Sequence, residues 1–212
     1  MTDMDITVKQ YRVGPVSTNC YFAINQQTKE ALIIDPGDQA DTLEKQVEKL
    51  GIKPAAILLT HGHFDHAGAA EELKKKYGVS VYAQEAEQET LENPRVNLSG
   101  AMFGHPAVYH ADYYFKDEEE IELAGFKIRV LHTPGHTAGG ACYYLPDVMV
   151  LFSGDTLFCE SVGRSDFPGG SASTLIRSIR QKLMVLPDFI KVYPGHEEIT
   201  TIGNERANNP YL

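Results

Sequence analysis

The chain has 212 residues, 42% hydrophobic and 23% charged, which suits one globular domain spanning 1–212 with a core large enough to need no staples. Its 29 acidic and 19 basic residues leave a formal charge of -10, which argues against a surface built for nucleic-acid phosphates. The cysteines Cys20, Cys142 and Cys159 show no CxxC spacing, and this excludes a thiolate zinc knuckle and makes a disulfide framework unexpected.

The N-terminal stretch MTDMDITVKQ has no basic start leading into an apolar run, and the longest apolar runs are of strand length. A soluble, unexported, cytoplasmic protein with no membrane association is therefore expected. In chain order, ITVKQYRV and CYFAIN alternate as strands do, and ALIID ends at Pro36-Gly37. Asp41 and Glu44 form a capping box for a first helix carrying Leu43, Val47 and Leu50, with Gly51 as its stop. AAILLT over 55–60 reads as a buried strand. A second helix is expected from about His66, with Ala70, Leu73 and Tyr77 on one face and Lys74 to Lys76 at its solvated end.

VSVYA follows as a strand, and the acidic run from Gln84 to Glu92 as a short helix. Residues 97–116 lack a period and are expected to form a long loop. FKIRVL, ACYYL and VMVLF are strand-like, Leu175, Ile179, Leu183 and Leu186 mark a helix ended by Pro187, and FIKVY is a last strand. Runs such as VMVLF are apolar at every position, so both faces must be covered. Two stacked sheets with helices outside satisfy that demand better than a plain doubly wound sheet.

The chemistry is concentrated after these strands. Thr60-His61-Gly62-His63-Phe64-Asp65-His66 follows the buried AAILLT strand, and alternate residues of extended backbone share a side, so His61, His63 and Asp65 can converge. His66 then opens the next helix. Three further strands end in a glycine followed by a ligand-type residue: Gly135-His136, Gly154-Asp155 and Gly195-His196. Seven N/O donors exceed what one tetrahedral zinc uses, so two divalent ions are expected, zinc foremost, with iron or manganese as alternatives. Asp155 would bridge them, three histidines (His61, His63, His136) holding one ion and Asp65, His66 and His196 the other, roughly 3.5 to 4 Å apart with a hydroxide between them. His105 and His110 are expected to be surface or packing residues, and His132 to support the His136 turn rather than ligate.

This pattern resembles the metallo-β-lactamase superfamily, whose signature His61 to His66, His136, Asp155 and His196 follow in order and spacing across nearly the whole chain. Gly154-Asp155-Thr156-Leu157-Phe158 and Gly163-Arg164-Ser165-Asp166-Phe167 are similar to the short, single-domain glyoxalase II-like hydrolases. The resemblance implies an α+β fold, a four-layer αββα sandwich with the metal site at one edge of the two sheets. It also implies hydrolysis of a small-molecule thioester of the S-lactoylglutathione type. Asp65 and Asp155 would be the catalytic carboxylates, ligating metal and orienting the hydroxide. Arg164 would contact the carboxylate of the thiol.

Two features depart from the glutathione-specific pattern. No separate C-terminal substrate-binding domain is expected beyond His196, and Glu198 stands where the family often places a tyrosine that contacts glutathione. The competing readings are an Fe(II) persulfide dioxygenase using His61, His136 and Asp155 as a facial triad, a lactone or phosphodiester hydrolase, and a binding module with a structural metal. Cys159 is expected to pack as a small hydrophobe rather than to act as a nucleophile.

Overall fold

The computed structural model describes residues 5–100 and 104–212, so positions 101–103 of the expected loop lie outside the described residues. The first sheet contains β1 (Ile6–Val13), β2 (Thr18–Asn25), β3 (Glu30–Ile34), β4 (Lys53–Leu58), β5 (Ser80–Gln84) and β6 (Tyr113–Phe115), adjacent in that order. The remaining strands are β7 (Glu120–Leu123), β8 (Phe126–His132), β9 (Ala141–Leu145), β10 (Val150–Gly154), the small hairpin β11 (Leu157–Phe158) with β12 (Ser161–Val162), β13 (Lys191–Pro194) and β14 (Thr200–Thr201). The second sheet runs β14-β13-β10-β9-β8-β7. Helices α1 (Ala40–Leu50), α2 (Phe64–Ala67), α3 (Ala70–Tyr77), α4 (Gln88–Glu92), α5 (Ala172–Ser178) and α6 (Ile202–Asn208) complete the chain.

The two-residue period of extended backbone sorts the core into three layers. Along β2, Tyr21 and Ala23 face inward and meet Phe126, Val130, Tyr143 and Phe152 of the opposite sheet. Cys20, Phe22 and Ile24 face outward beneath Leu43 and Val47 of α1 and Leu73 of α3. On the other side Cys142, Tyr144 and Leu151 lie under Leu175, Ile179 and Leu183. β10 is buried on both faces, as its unbroken apolar run implied, and so is β2, although CYFAIN reads as alternating. This is the expected αββα sandwich.

Four local expectations change. Asp41 does not cap α1: the preceding residue is Gln39 at φ 56° with no side-chain cap, because Asp38 accepts from the Gln39 N–H at 2.6 Å and turns the chain early. Asp41 sits instead in the first turn, where its charge suits the helix dipole. The helix expected from His66 begins at Phe64 and breaks into α2 and α3, because the Ala69 N–H donates to the Pro36 carbonyl at 2.9 Å. Within the expected 97–116 loop, Tyr113–Phe115 pairs in parallel with β5 as a sixth strand. The helix through Leu175 passes into a π-turn over Ile179–Leu183, although Leu175, Ile179 and Leu183 still pack together against the sheet. β7, β14 and α6 are additions to the sequence-based elements.

Candidate metal centre

The second sheet aligns three strand ends. β10 pairs in parallel with β13, and β9 is antiparallel to both β8 and β10, so β8, β10 and β13 all finish at one edge. Their continuations carry His136, Asp155 and His196. The first sheet joins them where the Ala141 N–H donates to the Thr60 carbonyl at 2.9 Å and the Tyr143 hydroxyl donates to the Leu59 carbonyl at 2.7 Å. Those bonds bring the loop of His61 and His63 against the turn of His136.

All seven sequence-predicted ligands meet there. His61 Nε2 and His136 Nε2 lie 3.1 and 3.0 Å from His63 Nδ1. On the other side His196 Nε2 is 3.3 Å and His66 Nε2 3.5 Å from Asp65 Oδ2. Asp155 stands between the two groups: Oδ2 is 3.5 Å from His136 and 3.6 Å from His196, and Oδ1 is 3.4 Å from His66.

Hydrogen bonds outside the cluster decide which nitrogen of each ring is free. Thr60 Oγ1 donates to Asp35 Oδ2 at 2.6 Å, so its oxygen accepts from His61 Nδ1–H at 3.2 Å and the lone pair of His61 falls on Nε2. His136 Nδ1–H likewise donates to the Arg164 carbonyl at 2.6 Å. Three ring nitrogens thus converge with little hydrogen to share. The buried His66 Nε2 and Asp155 Oδ1 have no hydrogen-bond partner among the described residues. Converging lone pairs and unpartnered buried donors of the His/Asp type fit divalent cations.

The electrostatics divide the same way. Burial, reinforced by neighbouring imidazoles, holds His61 well below the ordinary histidine value, and burial with His136 beside it holds His63 down to about 3. Burial also lowers His136 against the pull of Asp155. These rings are neutral, the form that binds metal. Burial would lower His66 too, but Asp65, Asp155 and Asp35 outweigh it and raise the ring well above its usual value. Burial opposes ionisation of Asp65 and Asp155, yet the His66 charge wins and holds Asp65 at about 2 and Asp155 well below the carboxylate range.

Several supporting residues escaped sequence reasoning. Buried Asp35 accepts from the Thr60 N–H at 2.7 Å and lies 3.0 Å from His66 Nδ1, so one carboxylate orients side chains of both groups. Its signal was an acidic residue ending an apolar strand before Pro-Gly. Thr18 donates to Asp65 Oδ2 at 2.7 Å, and Asn19 Nδ2 donates to the carbonyls of Pro194 and Glu197 at 3.0 and 3.1 Å, pinning the His196 turn. Neither had a sequence signal, since each lies far along the chain from the residue it supports. Gly195 is required sterically: a Cβ there would stand 2.3 Å from Asp155 Oδ1 and 2.6 Å from His66 Cε1.

The cluster floors a cleft of about 400 Å³ walled by Val16, Phe64, Leu98, Phe158, Val162 and Phe167. Arg164 is at its mouth, exposed, paired with Asp166 through bonds of 2.9 and 2.7 Å and lying 4.2 Å over the Phe167 ring. His105 and His110 are exposed and stand apart from the cluster, and His132 Nε2 reaches the Ala138 carbonyl at 3.0 Å in the turn that carries His136. Cys159 is half-buried and hydrogen-bonded to Thr200. No helix among the described residues is long and apolar enough to cross a membrane.

Comparison with known proteins matches residues 13–196 to the family model described as "Metallo-beta-lactamase superfamily". The hydroxyacylglutathione hydrolase GloC of Haemophilus influenzae is 42% identical over 92% of each chain. The crystal structure of BLEG-1 B3 metallo-beta-lactamase superposes with a TM-score of 0.93 at 40% identity, covering 97% of this chain and 99% of that one. TTHA1623, solved in a di-iron-bound form, superposes with a TM-score of 0.83 at 35% identity over 96% of this chain and all of its own. With its sandwich fold and gathered His/Asp donors, the chain belongs to the metallo-beta-lactamase superfamily of metal-dependent hydrolases, on its glyoxalase II-like side.

Proposed function

We propose that this protein hydrolyses small-molecule thioesters of the S-lactoylglutathione type, holding two divalent cations, zinc foremost. The observation that carries the reading is the pair of donor groups joined by Asp155 on the floor of an apolar-walled cleft. His61, His63 and His136 would hold one ion, Asp65, His66 and His196 the other, and Asp155 both. The di-iron form of TTHA1623 supports the two-ion arrangement, and the likeness to GloC supports the thioester class.

Bound at these groups, a divalent metal would lower the pKa of water to about 7 and would polarise a carbonyl oxygen. Asp65 and Asp155, which bound cations would keep ionised, would accept hydrogen bonds from the attacking water and fix its direction. Thr18 keeps one Asp65 oxygen in place. Phe64, Leu98 and Phe167 exclude bulk water from the acyl group, which strengthens each polar interaction inside. A thiolate leaves readily, so no dedicated general acid is needed. Arg164 would exchange Asp166 for a carboxylate of the thiol, a substitution that costs little because the existing pair is exposed.

The reading is tested by loading the protein with zinc, manganese or iron and following loss of thioester absorbance with S-lactoylglutathione. Cleavage that disappears in Asp155→Asn supports it. One iron per chain, oxygen uptake on a persulfide and no thioester cleavage would overturn it in favour of the dioxygenase. Of the two, the gathering of His63 and of Asp65, His66 and His196 around the facial triad supports the hydrolase. A small-molecule substrate and a cytoplasmic location complete the proposal; the three cysteines, none of them in a disulfide, suit a reducing compartment.

A further inference from the structure

Glu87 is a carboxylate with no solvent exposure, in the short helical segment between β5 and α4, and neither ligand group includes it. Burying a carboxylate is unfavourable unless its oxygens are well supplied with donors. Here Oε1 accepts from the Gly62 N–H at 2.8 Å, while Oε2 accepts from Thr137 Oγ1 at 2.9 Å and from the Gly139 N–H at 2.7 Å. Thr90 supplies a further side-chain donor. Gly62 lies between His61 and His63, and Thr137 directly follows His136. One carboxylate therefore ties together two loops that come from different sheets and carry the three histidines of one group.

The fit is close on the backbone side as well: a Cβ on Gly139 would stand 2.1 Å from the Glu87 backbone nitrogen. Leu91 and Ala83, both fully buried, anchor the same segment in the outer core independently of the carboxylate. The second group draws its support from elsewhere, from Asp35, Thr18 and Asn19. We infer that Glu87 is a positioning residue that sets the spacing of His61, His63 and His136, and thereby the affinity of that group alone for a divalent cation.

The inference rests on the assignment of these histidines as ligands, and the experiment separates the two. Zinc affinity is measured by chelator competition in two backgrounds: His196→Ala, which cripples the second group, and His63→Ala, which cripples the first. Glu87→Gln keeps the shape but turns an amide NH2 toward N–H or O–H donors on one side of the clamp. Loss of such an outer partner typically lowers metal affinity about 10–100-fold. That loss is expected in the His196→Ala background, with unchanged affinity in the His63→Ala background and no change in either for Glu85→Gln, an exposed neighbour with the same charge change. If Glu87→Gln does not fold, Thr137→Val, which removes one donor, carries the test with a smaller loss in the same background. Unchanged affinity, or equal loss in both backgrounds, overturns the inference. Parent proteins that bind no zinc overturn the ligand assignment instead.

Discussion

Replacing Asp35 by Asn isolates the contribution of one buried charge to the metal centre. Asp35 is 2% exposed and sits at φ 51°, a conformation Asn adopts at least as readily, so the backbone is undisturbed. Its carboxylate accepts from Thr60 N–H at 2.7 Å and Thr60 Oγ1 at 2.6 Å and faces His66 Nδ1 at 3.0 Å. An amide oxygen can keep the backbone bond, and the threonine oxygen, with two lone pairs, can accept from the new NH2 while still accepting from His61 Nδ1–H. His66 Nδ1–H then faces a donor, so the net loss is one buried charge-assisted contact, about 1.5–3 kcal/mol. Loss of a carboxylate partner of a metal-binding imidazole typically lowers affinity about 10–100-fold, so zinc binding by the group containing His66 should weaken by that factor. Urea denaturation of the metal-free protein should show a loss of similar size, since His66 loses one of the three carboxylates that support its charge. The exposed Asp38→Asn serves as control, with an expected change within about 0.5 kcal/mol. An Asp35→Asn protein with wild-type denaturation midpoint and zinc affinity would refute the assignment of Asp35 as the support for His66.

Other consequences can be measured separately. Gly195→Ala should fold but bind zinc poorly, because its methyl displaces Asp155 and His66, whereas Gly51→Ala, with nothing within 4 Å at φ +61°, should cost about 1 kcal/mol of stability and leave metal binding intact; equal zinc affinity in both would contradict the packing argument. Phe152→Ala should lower stability by about 3–5 kcal/mol by opening a cavity between the sheets beside Tyr21 and Tyr193, read from the urea midpoint. His66 and His196 hold their protons more tightly than free histidine. Burial opposes this, but Asp65 and Asp155 outweigh it at both rings, with Asp35 adding to the effect at His66. Metal must displace those protons, so zinc binding at neutral pH should release protons and weaken as pH falls, visible as a buffer-dependent calorimetric heat; a heat independent of buffer would rule this out. Arg164→Ala should raise KM for a glutathione thioester and leave it unchanged for an uncharged thiol ester with the same acyl group.

Much of the fold was legible because burial on both faces leaves a local signature. The unbroken apolar runs of β4 and β10 required two covering layers, and those layers are present. Where the sequence-based reading failed, the deciding contact was remote. The second helix breaks because Pro36, some thirty positions earlier, takes the Ala69 N–H. Tyr113–Phe115 becomes a strand because β5 offers an open parallel edge, a circumstance that no periodicity within a three-residue segment can express. Asp41 lost its capping role to a turn set by Asp38, a competition between two equally plausible local partners.

The site divides along the same line. From residue type and spacing alone came the seven donors, their delivery by strand ends and the excess over a single tetrahedral ion, because metal-binding side chains are drawn from a few residue types wherever they stand in the chain. Only the tertiary structure decided which donors meet, that Asp155 lies between the two groups, and which ring nitrogen each histidine presents. Those choices depend on hydrogen bonds from Thr60 and the Arg164 carbonyl, and on the carboxylates of Asp35 and Glu87. A backbone carbonyl carries no side-chain identity to read, and a buried acid resembles a surface one until the chain has folded around it.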